Sequence, residues 1–326
     1  MDDAFTSLPD LASRALGGGV VHADDEFFAA ADHLVLPSEP TFSPRTFDHK
    51  GPVYDGWETR RRRSAGTDAA IVRLGAPGVI RGVNVDTAFF VGNYPSYASI
   101  DACATDGYPT SFDDVAWTPL VPKSPLNGDT DNLFPVENRR RFTHVRLTIH
   151  PDGGVARFRV HGEVVPDPAL LPEVFDVAAL AAGGTVTGCS NMFFGRPQKM
   201  LMPGLAQHMG DGWETARRRE DGNEWVVVDL AAPTEIAFVD IDTSHFKGNA
   251  PGAAALTGES DNSIEILRRT PLSPDTPHRF AVPPRRRVER VRLDIFPDGG
   301  VARLRVIGRP DRGFLEEKFR RHVETG

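Results

Sequence analysis

Val145-Arg-Leu-Thr-Ile-His-Pro-Asp-Gly-Gly-Val-Ala-Arg-Phe-Arg-Val160 is two short alternating strands around a turn, and it is written a second time at Val291–Val306. Val145, Leu147 and Ile149 fall on one face and Arg146 and Thr148 on the other, the period of two that marks a half-buried strand. Pro151-Asp152-Gly153-Gly154 then predicts a tight hairpin turn, because Asp-Gly and Gly-Gly supply the positive φ of primed turns. Beyond it Ala156, Phe158 and Val160 alternate with Arg157 and Arg159, which assigns the arginines to the face away from the core. The whole stretch from Arg139 to Gly162 returns from Arg285 to Gly308.

Working outward, two more blocks recur in the same order. Asp55-Gly56-Trp57-Glu58-Thr59 returns unchanged as Asp211-Gly212-Trp213-Glu214-Thr215, and Val85–Asn93 returns as Ile241–Asn249. These two blocks recur after 156 residues (55 to 211) and the last after 146 (139 to 285), so the first copy carries ten extra residues between Asn93 and Arg139. A period near 150 is far longer than a solenoid unit of roughly 20 to 50 residues. It is the size of a domain, typically about 100 to 150 residues. The chain is one module written twice, and its 326 residues suit two domains.

The rest of the chain reads mostly as strand. Ala70–Leu74 and Trp225–Leu230 are β-branched runs that Ala-Pro turns close, and Val83–Asp86 and Phe238–Asp242 alternate with period two. Asp10–Leu16 predicts a short helix stopped by Gly17-Gly18-Gly19, and Phe314–His322 a second one. With 31 glycines, 27 prolines and few helical patterns, the fold class is all-β, two tandem homologous β-sandwich domains with short peripheral helices. The expected division is an N-terminal arm over 1–19, a first sandwich over 20–165, a Pro-rich linker over 166–182 and a second sandwich over 183–326 with its C-terminal helix.

Hydrophobic residues make up 40% of the chain, enough for globular cores. A net charge of −8 argues against nucleic acid as a partner despite the arginine runs 60–63, 139–141, 217–219 and 285–287. Those runs sit beside acidic residues and read as solvated or paired strand edges. Cys103 and Cys189 fall at non-equivalent places, so no disulfide framework follows and a reducing, cytoplasmic setting is expected. Neither a secretory leader, a membrane-spanning run nor a Ser-Lys-Leu ending is read from the sequence.

Walker, His-Glu-x-x-His and Gly-x-Ser-x-Gly signatures are absent. Of Asp-Gly-Trp-Glu-Thr, a turn explains Asp-Gly, a core plug the Trp and a strand start the Thr. Nothing local explains Glu58 and Glu214, which makes them candidate acid/base groups or metal ligands. In Asp-Thr-x-x-Phe-x-Gly-Asn, Asp86, Thr87 and Asn93, with Asp242, Thr243 and Asn249, stand at strand ends and in the following loop, where a rigid sandwich presents ligand-binding groups. The same residues suit an Asx-turn and a left-handed cap, and both readings stay open. Arg157 and Arg303 follow a turn and are suited to clamping a carboxylate bidentately. The histidines are not duplicated: His150 faces Phe296, His245 faces Phe89 and His278 faces Asn132, which suggests unequal sites. No dense His/Cys cluster demands zinc. Carboxylates with His and Asn oxygens are able to hold a harder divalent ion, the metal is unknown, and no organic cofactor is expected.

Taken together, these blocks resemble the allantoicase family. The resemblance rests on Leu8-Pro9-Asp10-Leu11-Ala12-Ser13 with Leu16-Gly17-Gly18, on Asp24-Asp25-Glu26-Phe27-Phe28, and on both Asp-Gly-Trp-Glu-Thr blocks with their Arg-Arg. It also rests on both Asp-Thr-x-x-Phe-x-Gly-Asn blocks and on Thr270-Pro271-Leu272 with Asp275, His278 and Phe280. It spans essentially residues 6–310, and Trp225–Leu230 is also similar to a strand of galactose-binding-like, discoidin-type jelly rolls. The resemblance implies hydrolysis of allantoate, a small anion, to (S)-ureidoglycolate and urea in purine degradation. The chemistry then asks for an acid to protonate the leaving ureido nitrogen, a base to deliver water to the central carbon, and an Arg for the carboxylate. One site is expected to group Glu58, Asp86 and Asn93, with Thr87 and Arg157 as binding groups. The other groups Glu214, Asp242, Asn249 and His278, with Thr243 and Arg303. A composite site stays open, as does self-association into a homo-oligomer. The alternatives are a non-enzymatic carbohydrate-binding pair of jelly rolls and a purely structural tandem-β protein. The first lacks the expected aromatic platforms, since Trp occurs only four times, and the second leaves the repeated Glu and Asn unexplained.

Overall fold

The computed structural model describes residues 3–105, 107–260, 262–282 and 287–323, and it divides into two units, 1–165 with 322–326, and 166–321. Each unit is a β-sandwich built around one long strand. In the first this is Asp68–Asp86. Its leading half pairs with Arg141–His150, from Asp68 opposite Ile149 to Arg73 opposite His144, and on its other edge with Gly19–Ala23. Its trailing half pairs with Arg157–Val164 and Asp131–Pro135. Glu224–Asp242 does the same in the second unit, with Arg287–Phe296 and Thr185–Cys189 on its leading half and Arg303–Pro310 and Pro277–Ala281 on its trailing half.

The Ala-Pro dipeptides therefore do not close strands as their composition suggested. Ala76-Pro77 and Ala232-Pro233 lie inside the long strands, where the register against the Arg141–His150 and Arg287–Phe296 partners shifts. A proline has no N–H for a ladder, so it is tolerated where a strand bends out of one sheet and into the next. The alternation read from the sequence survives on both sides of the bend: Ala70, Val72, Val83 and Val85 are all fully buried, as are their counterparts Val226, Val228, Val239 and Ile241.

The Pro-Asp-Gly-Gly turn is likewise not a hairpin. The strands it joins both pair with Asp68–Asp86, one with each half, so the turn is an arch between sheets, and Gly154-Val155 pairs instead with Glu58 and Trp57. This relocates Arg157 and Arg303 to the buried side, the first fully and the second nearly so, where the alternation had put them facing solvent. Gly153 and Gly299 have φ of +139° and +134°, and a Cβ there would lie 2.7 and 2.5 Å from the carbonyl oxygens of Asn93 and Asn249. Glycine is required at both places for backbone reasons.

The N-terminal arm is not the α-helix expected over Asp10–Leu16. It forms two 3-10 turns, Asp3–Ser7 and Arg14–Leu16, the second ended by Gly17 in the left-handed region. Asp10 instead accepts hydrogen bonds from the Ala12 and Val160 backbone, which pins the arm to the sandwich and competes with helix. The C-terminal helix is present, Arg312–Val323. The ten extra residues of the first copy lie between Cys103 and Thr118, whose counterparts are Glu259 and Ile264. A second difference of the same size precedes the Asp-Gly-Trp-Glu-Thr block. Between Pro37 and Asp55 the first unit inserts the hairpin Phe42–Asp48 and Gly51–Tyr54, where the second has only residues 204–210. The arginine run 285–287 lies in part outside the described residues.

Cys103 is buried and Cys189 partly so, both free. Burial pushes the Cys103 thiol up to about 11. No helix of the described residues is long and apolar enough to cross a membrane.

Candidate active site

Loops from the strand ends meet at the same place in each unit, and the pentapeptide lies at its centre. Gly56 and Gly212 are squeezed against the backbone of Val155-Ala156 and Val301-Ala302, where a Cβ would come within 2.8 and 2.7 Å of a carbonyl oxygen. Trp57 and Trp213 are fully buried and donate their indole N–H to the carbonyls of Asp25 and Asn191 at 2.7 and 2.8 Å. Thr59 and Thr215 accept from the Gly153 and Gly299 N–H groups. Each of these residues is consumed by the fold.

The glutamate is not. Glu58 Oε1 accepts a hydrogen bond from Asn93 Nδ2 at 2.8 Å, and Glu214 Oε1 accepts one from Asn249 Nδ2 at 2.7 Å. Two blocks that the sequence placed 35 residues apart in each copy thus converge on one contact. A carboxylate has no proton to give, so the amide turns its NH2 toward it and leaves its oxygen outward. Glu Oε2 and Asn Oδ1 have no hydrogen-bond partner among the described residues in either unit. The pair therefore offers a carboxyl group and an amide acceptor side by side, half-buried. The glutamate backbone is held on both flanks, by Gly154 or Gly300 on one side and by Ala29 or Gly195 on the other, which fixes where the carboxyl points.

Burial raises the Glu58 carboxyl above the ordinary carboxylate range, and the Asn93 hydrogen bond opposes the rise. A raised carboxyl is one that keeps its proton to higher pH, as a general acid requires. The same shift destabilises the fold as pH rises, because the unfolded chain releases the proton first. Replacing Glu58 with Gln is therefore expected to leave Tm close to wild type near pH 4 and to gain on it progressively toward pH 7. Thermal melts across that range would show a constant difference if burial of Glu58 had no such cost.

The other expected site residues go elsewhere. Asp86 and Asp242 are buried and accept from the Ala88 and Ser244 N–H groups at 2.8 and 2.7 Å, the Asx-turn reading, rather than from Asn93 or Asn249. Burial and the nearby Asp131 hold the Asp86 carboxyl above its usual range against the Ala88 hydrogen bond. Thr87 and Thr243 have no exposed surface and donate to Asn127 and Thr130, and to Ser273 and Thr276. Arg157 donates to the carbonyls of Ser38, Asp55 and Ala156 and pairs with Asp55 Oδ2 at 2.9 Å. Arg303 repeats the pattern on Gly204, Asp211 and Ala302. These two arginines lock the loop before the pentapeptide onto the sandwich, and their guanidinium groups are committed to it.

His278 is also committed. Its Nδ1 faces the Ile241 carbonyl at 3.1 Å and its Nε2 accepts from the Ser273 N–H at 2.9 Å, which fixes the neutral tautomer with the proton on Nδ1. Asn132 at the equivalent place makes the same two bonds with its amide, donating to Val85 and accepting from Asn127. The His/Asn difference is two solutions to one loop, not a sign of unequal sites. His278→Asn is expected to keep the stability within about 0.5 kcal/mol of wild type, whereas His278→Ala removes the partner of the exposed Ser273 N–H and of the Ile241 carbonyl and costs about 1 kcal/mol; denaturant titrations of both would decide it.

The unequal feature is the rim. In the first unit Tyr54 of the inserted hairpin stacks on Phe90 at 4.6 Å, and Phe42 lies between Tyr54 and Phe89. In the second, Ala206 and Met209 of the short turn take this place, Ala206 against Phe246 and Met209 Sδ 3.7 Å from Asn249 Nδ2. Exposed aromatic pairs, Phe27-Phe28 and Phe193-Phe194, flank both glutamates, because Phe28 and Phe194 donate their N–H to the Glu58 and Glu214 carbonyls. Their duplication was visible only as two adjacent phenylalanines at unmatched spacing. For a divalent ion each pair offers at most two free oxygens, one from the carboxyl and one from the amide. No group of three or more His, Cys, Asp or Glu able to hold a metal occurs among the described residues.

The chain matches the family model described as "Allantoicase repeat" twice, over residues 9–165 and 175–311. It is 57% identical to a protein of Nocardia farcinica named "Probable allantoicase", over 93% of this chain and 95% of the relative. A protein of the same name from Streptomyces coelicolor is 46% identical over all of this chain and 92% of its own length. Among solved structures, the crystal structure of allantoicase from Saccharomyces cerevisiae superposes with a TM-score of 0.82 at 35% identity, over 94% of this chain and 96% of that one.

Proposed function

The chain belongs to the allantoicase family, and from that premise we propose that its two Glu–Asn pairs, Glu58 with Asn93 and Glu214 with Asn249, carry out the reaction. The protein is a hydrolase that converts allantoate to ureidoglycolate and urea. The bond broken joins the central carbon to one ureido nitrogen. Water supplies a hydroxyl to the carbon, and its remaining proton balances the urea that leaves.

The glutamic acid stands as the proton donor to the leaving nitrogen, and the amide oxygen of the asparagine as an acceptor for a ureido N–H. Once the proton is given, the glutamate is a base able to take one from the incoming water. The asparagine NH2 stabilises that anion in place. The observation that carries this reading is the duplicated hydrogen bond, since Glu is the one residue of the pentapeptide that the fold does not use. The cytoplasm, where both thiols stay reduced, is the compartment this reading assigns.

Asn249→Asp tests the pairing. A carboxylate beside Glu214 raises the pKa of the pair, so the basic limb of the pH–rate profile for urea release is expected to move to higher pH. A profile that keeps its shape would show that the asparagine does not touch the reacting acid.

A further inference from the structure

Each copy holds two residues other than glycine in the left-handed region, at matching places. Phe89 has φ of +68° and Asp129 +54° in the first unit, His245 +72° and Asp275 +50° in the second. The two residues of each unit touch. Asp129 Oδ1 accepts from the Phe89 N–H at 2.8 Å, and Asp275 Oδ1 accepts from the His245 N–H at 2.7 Å. A side chain beyond glycine rarely adopts this backbone, and the strain it carries clusters at active sites and ligand clamps.

The left-handed residue opens the segment that ends at the catalytic asparagine, and the next residue carries a wedge. Phe90 and Phe246 are buried, and their N–H groups donate to the Thr87 and Thr243 carbonyls at 2.9 and 3.0 Å. Each ring lies against a glycine of the arch: a Cβ on Gly154 or Gly300 would stand 2.0 or 1.9 Å from it. The other edge of the ring faces Gly56 or Gly212, where a Cβ would come within 2.9 or 3.1 Å. Gly154 and Gly300 are the joint between the two catalytic groups. They pair with Glu58 and Glu214, and their N–H groups donate to the Asn93 and Asn249 carbonyls at 2.7 and 2.9 Å. Contacts therefore run without a break from the aspartate, through the left-handed residue and the phenyl ring, to the glycine that joins glutamate and asparagine.

We propose that Asp129 and Asp275 are positioning residues for the hydrolysis: each braces the left-handed turn that presses the phenyl ring onto the joint, and so holds the asparagine amide on the glutamate. This rests on the reading of the Glu–Asn pairs as catalytic. The two copies separate the aspartate from its surroundings. The braced residue is Phe89 in one, stacked on Phe42, and His245 in the other, whose Nε2 faces the Ala206 carbonyl. The aspartate follows Gly128 in one and Pro274 in the other, and Val91 is replaced by Lys247, 3.7 Å from Asp275 Oδ2. What both copies keep is a carboxylate oxygen on one backbone N–H. Both aspartates are exposed, so no core requires them.

The test compares Asp129→Ala/Asp275→Ala with Asp129→Asn/Asp275→Asn, and adds Phe89→Gly/His245→Gly to the alanine variant. A small misplacement of a reacting group is costly, so the alanine variant is expected to lose about 10- to 100-fold in kcat for urea release. Its melt stays near that of wild type, because both side chains are exposed. The asparagine variant keeps an oxygen for the N–H and is expected to retain most of the activity. Glycine adopts the left-handed φ unaided, so it is expected to recover most of the alanine loss. A second readout needs no turnover: NMR titration of the Glu58 carboxyl carbon in isotope-labelled protein, assigned with Glu58→Gln. Burial raises that carboxyl and the Asn93 hydrogen bond opposes the rise, so a loosened asparagine moves its midpoint to higher pH. Wild-type kcat in the alanine variant overturns the proposal. So does a loss that neither asparagine nor glycine relieves, or an unmoved Glu58 midpoint. Failure of the catalytic reading looks different: Glu58→Gln/Glu214→Gln would keep full turnover, and the carboxyl titration alone would then decide whether the aspartates brace the pair.

Discussion

The double substitution Glu58→Gln/Glu214→Gln is expected to lower kcat for urea release from allantoate by about 100- to 10,000-fold, the usual weight of a positioned acid/base group. Gln keeps the size of the side chain and can still meet the Asn amide, so the loops around Trp57 and Trp213 have no reason to move. What it lacks is a proton to give to the ureido nitrogen. If both copies turn over substrate, Glu58→Gln and Glu214→Gln alone each leave the activity of the other copy. If one copy has kept only the fold, its substitution changes nothing and the other accounts for the whole loss. A stopped assay of urea release on the three variants separates these outcomes, and full activity in the double variant would remove the glutamates from the mechanism altogether.

Arg157→Ala is expected to be the largest single loss of stability, on the order of 3–5 kcal/mol, which is the scale for breaking a buried ionic contact by removing one partner. The side chain has no exposed surface, and its removal takes the donor from the carbonyls of Ser38, Asp55 and Ala156 and leaves the Asp55 carboxylate with only Thr41 and His33. Burial alone would raise the Asp55 carboxyl, but the hydrogen bonds from Arg157 and Thr41 and the charges of Arg157 and His33 outweigh it and hold it below the usual range. That stabilisation is present above the ordinary aspartate pKa and is lost as pH falls through the lower folded value. The stability gap between wild type and Arg157→Ala should therefore shrink in acid. A substrate clamp would behave otherwise, with an unchanged melt and a raised KM. Denaturant unfolding at pH 7 and pH 3, beside KM for the residual folded enzyme, distinguishes the two.

The strands were legible because burial of alternate side chains is a local constraint, and Val145-Arg-Leu-Thr-Ile149 states it in five residues. The bends at Pro77 and Pro233 were not, because a proline that ends a strand and one that turns a strand into the next sheet look alike until the partners on both sides are known. Arg157 was assigned to the wrong face for a related reason. Alternation assumes one core face and one solvent face, and at the arch both faces are covered. His278 and Asn132 differ in identity but not in hydrogen-bonding capacity, since Asn132 supplies the same donor and acceptor, and identity is all that a sequence compares.

From the sequence alone came the duplication, the all-β class and the glutamate that no turn or core required, since each is a matter of order, period and local chemistry. The partner of that glutamate was decided by tertiary structure. Asn93 and Asn249 reach Glu58 and Glu214 only because the loop after the long strand folds over the glycine pair of the arch, a contact between segments whose spacing along the chain carries no signal. The same applies to the exchange of Asp25 and Arg60 for Asn191 and Ala216. Each half reads as an ordinary surface substitution, and only the structure shows that the two positions touch, Arg60 on Asp25 and the Ala216 N–H on Asn191.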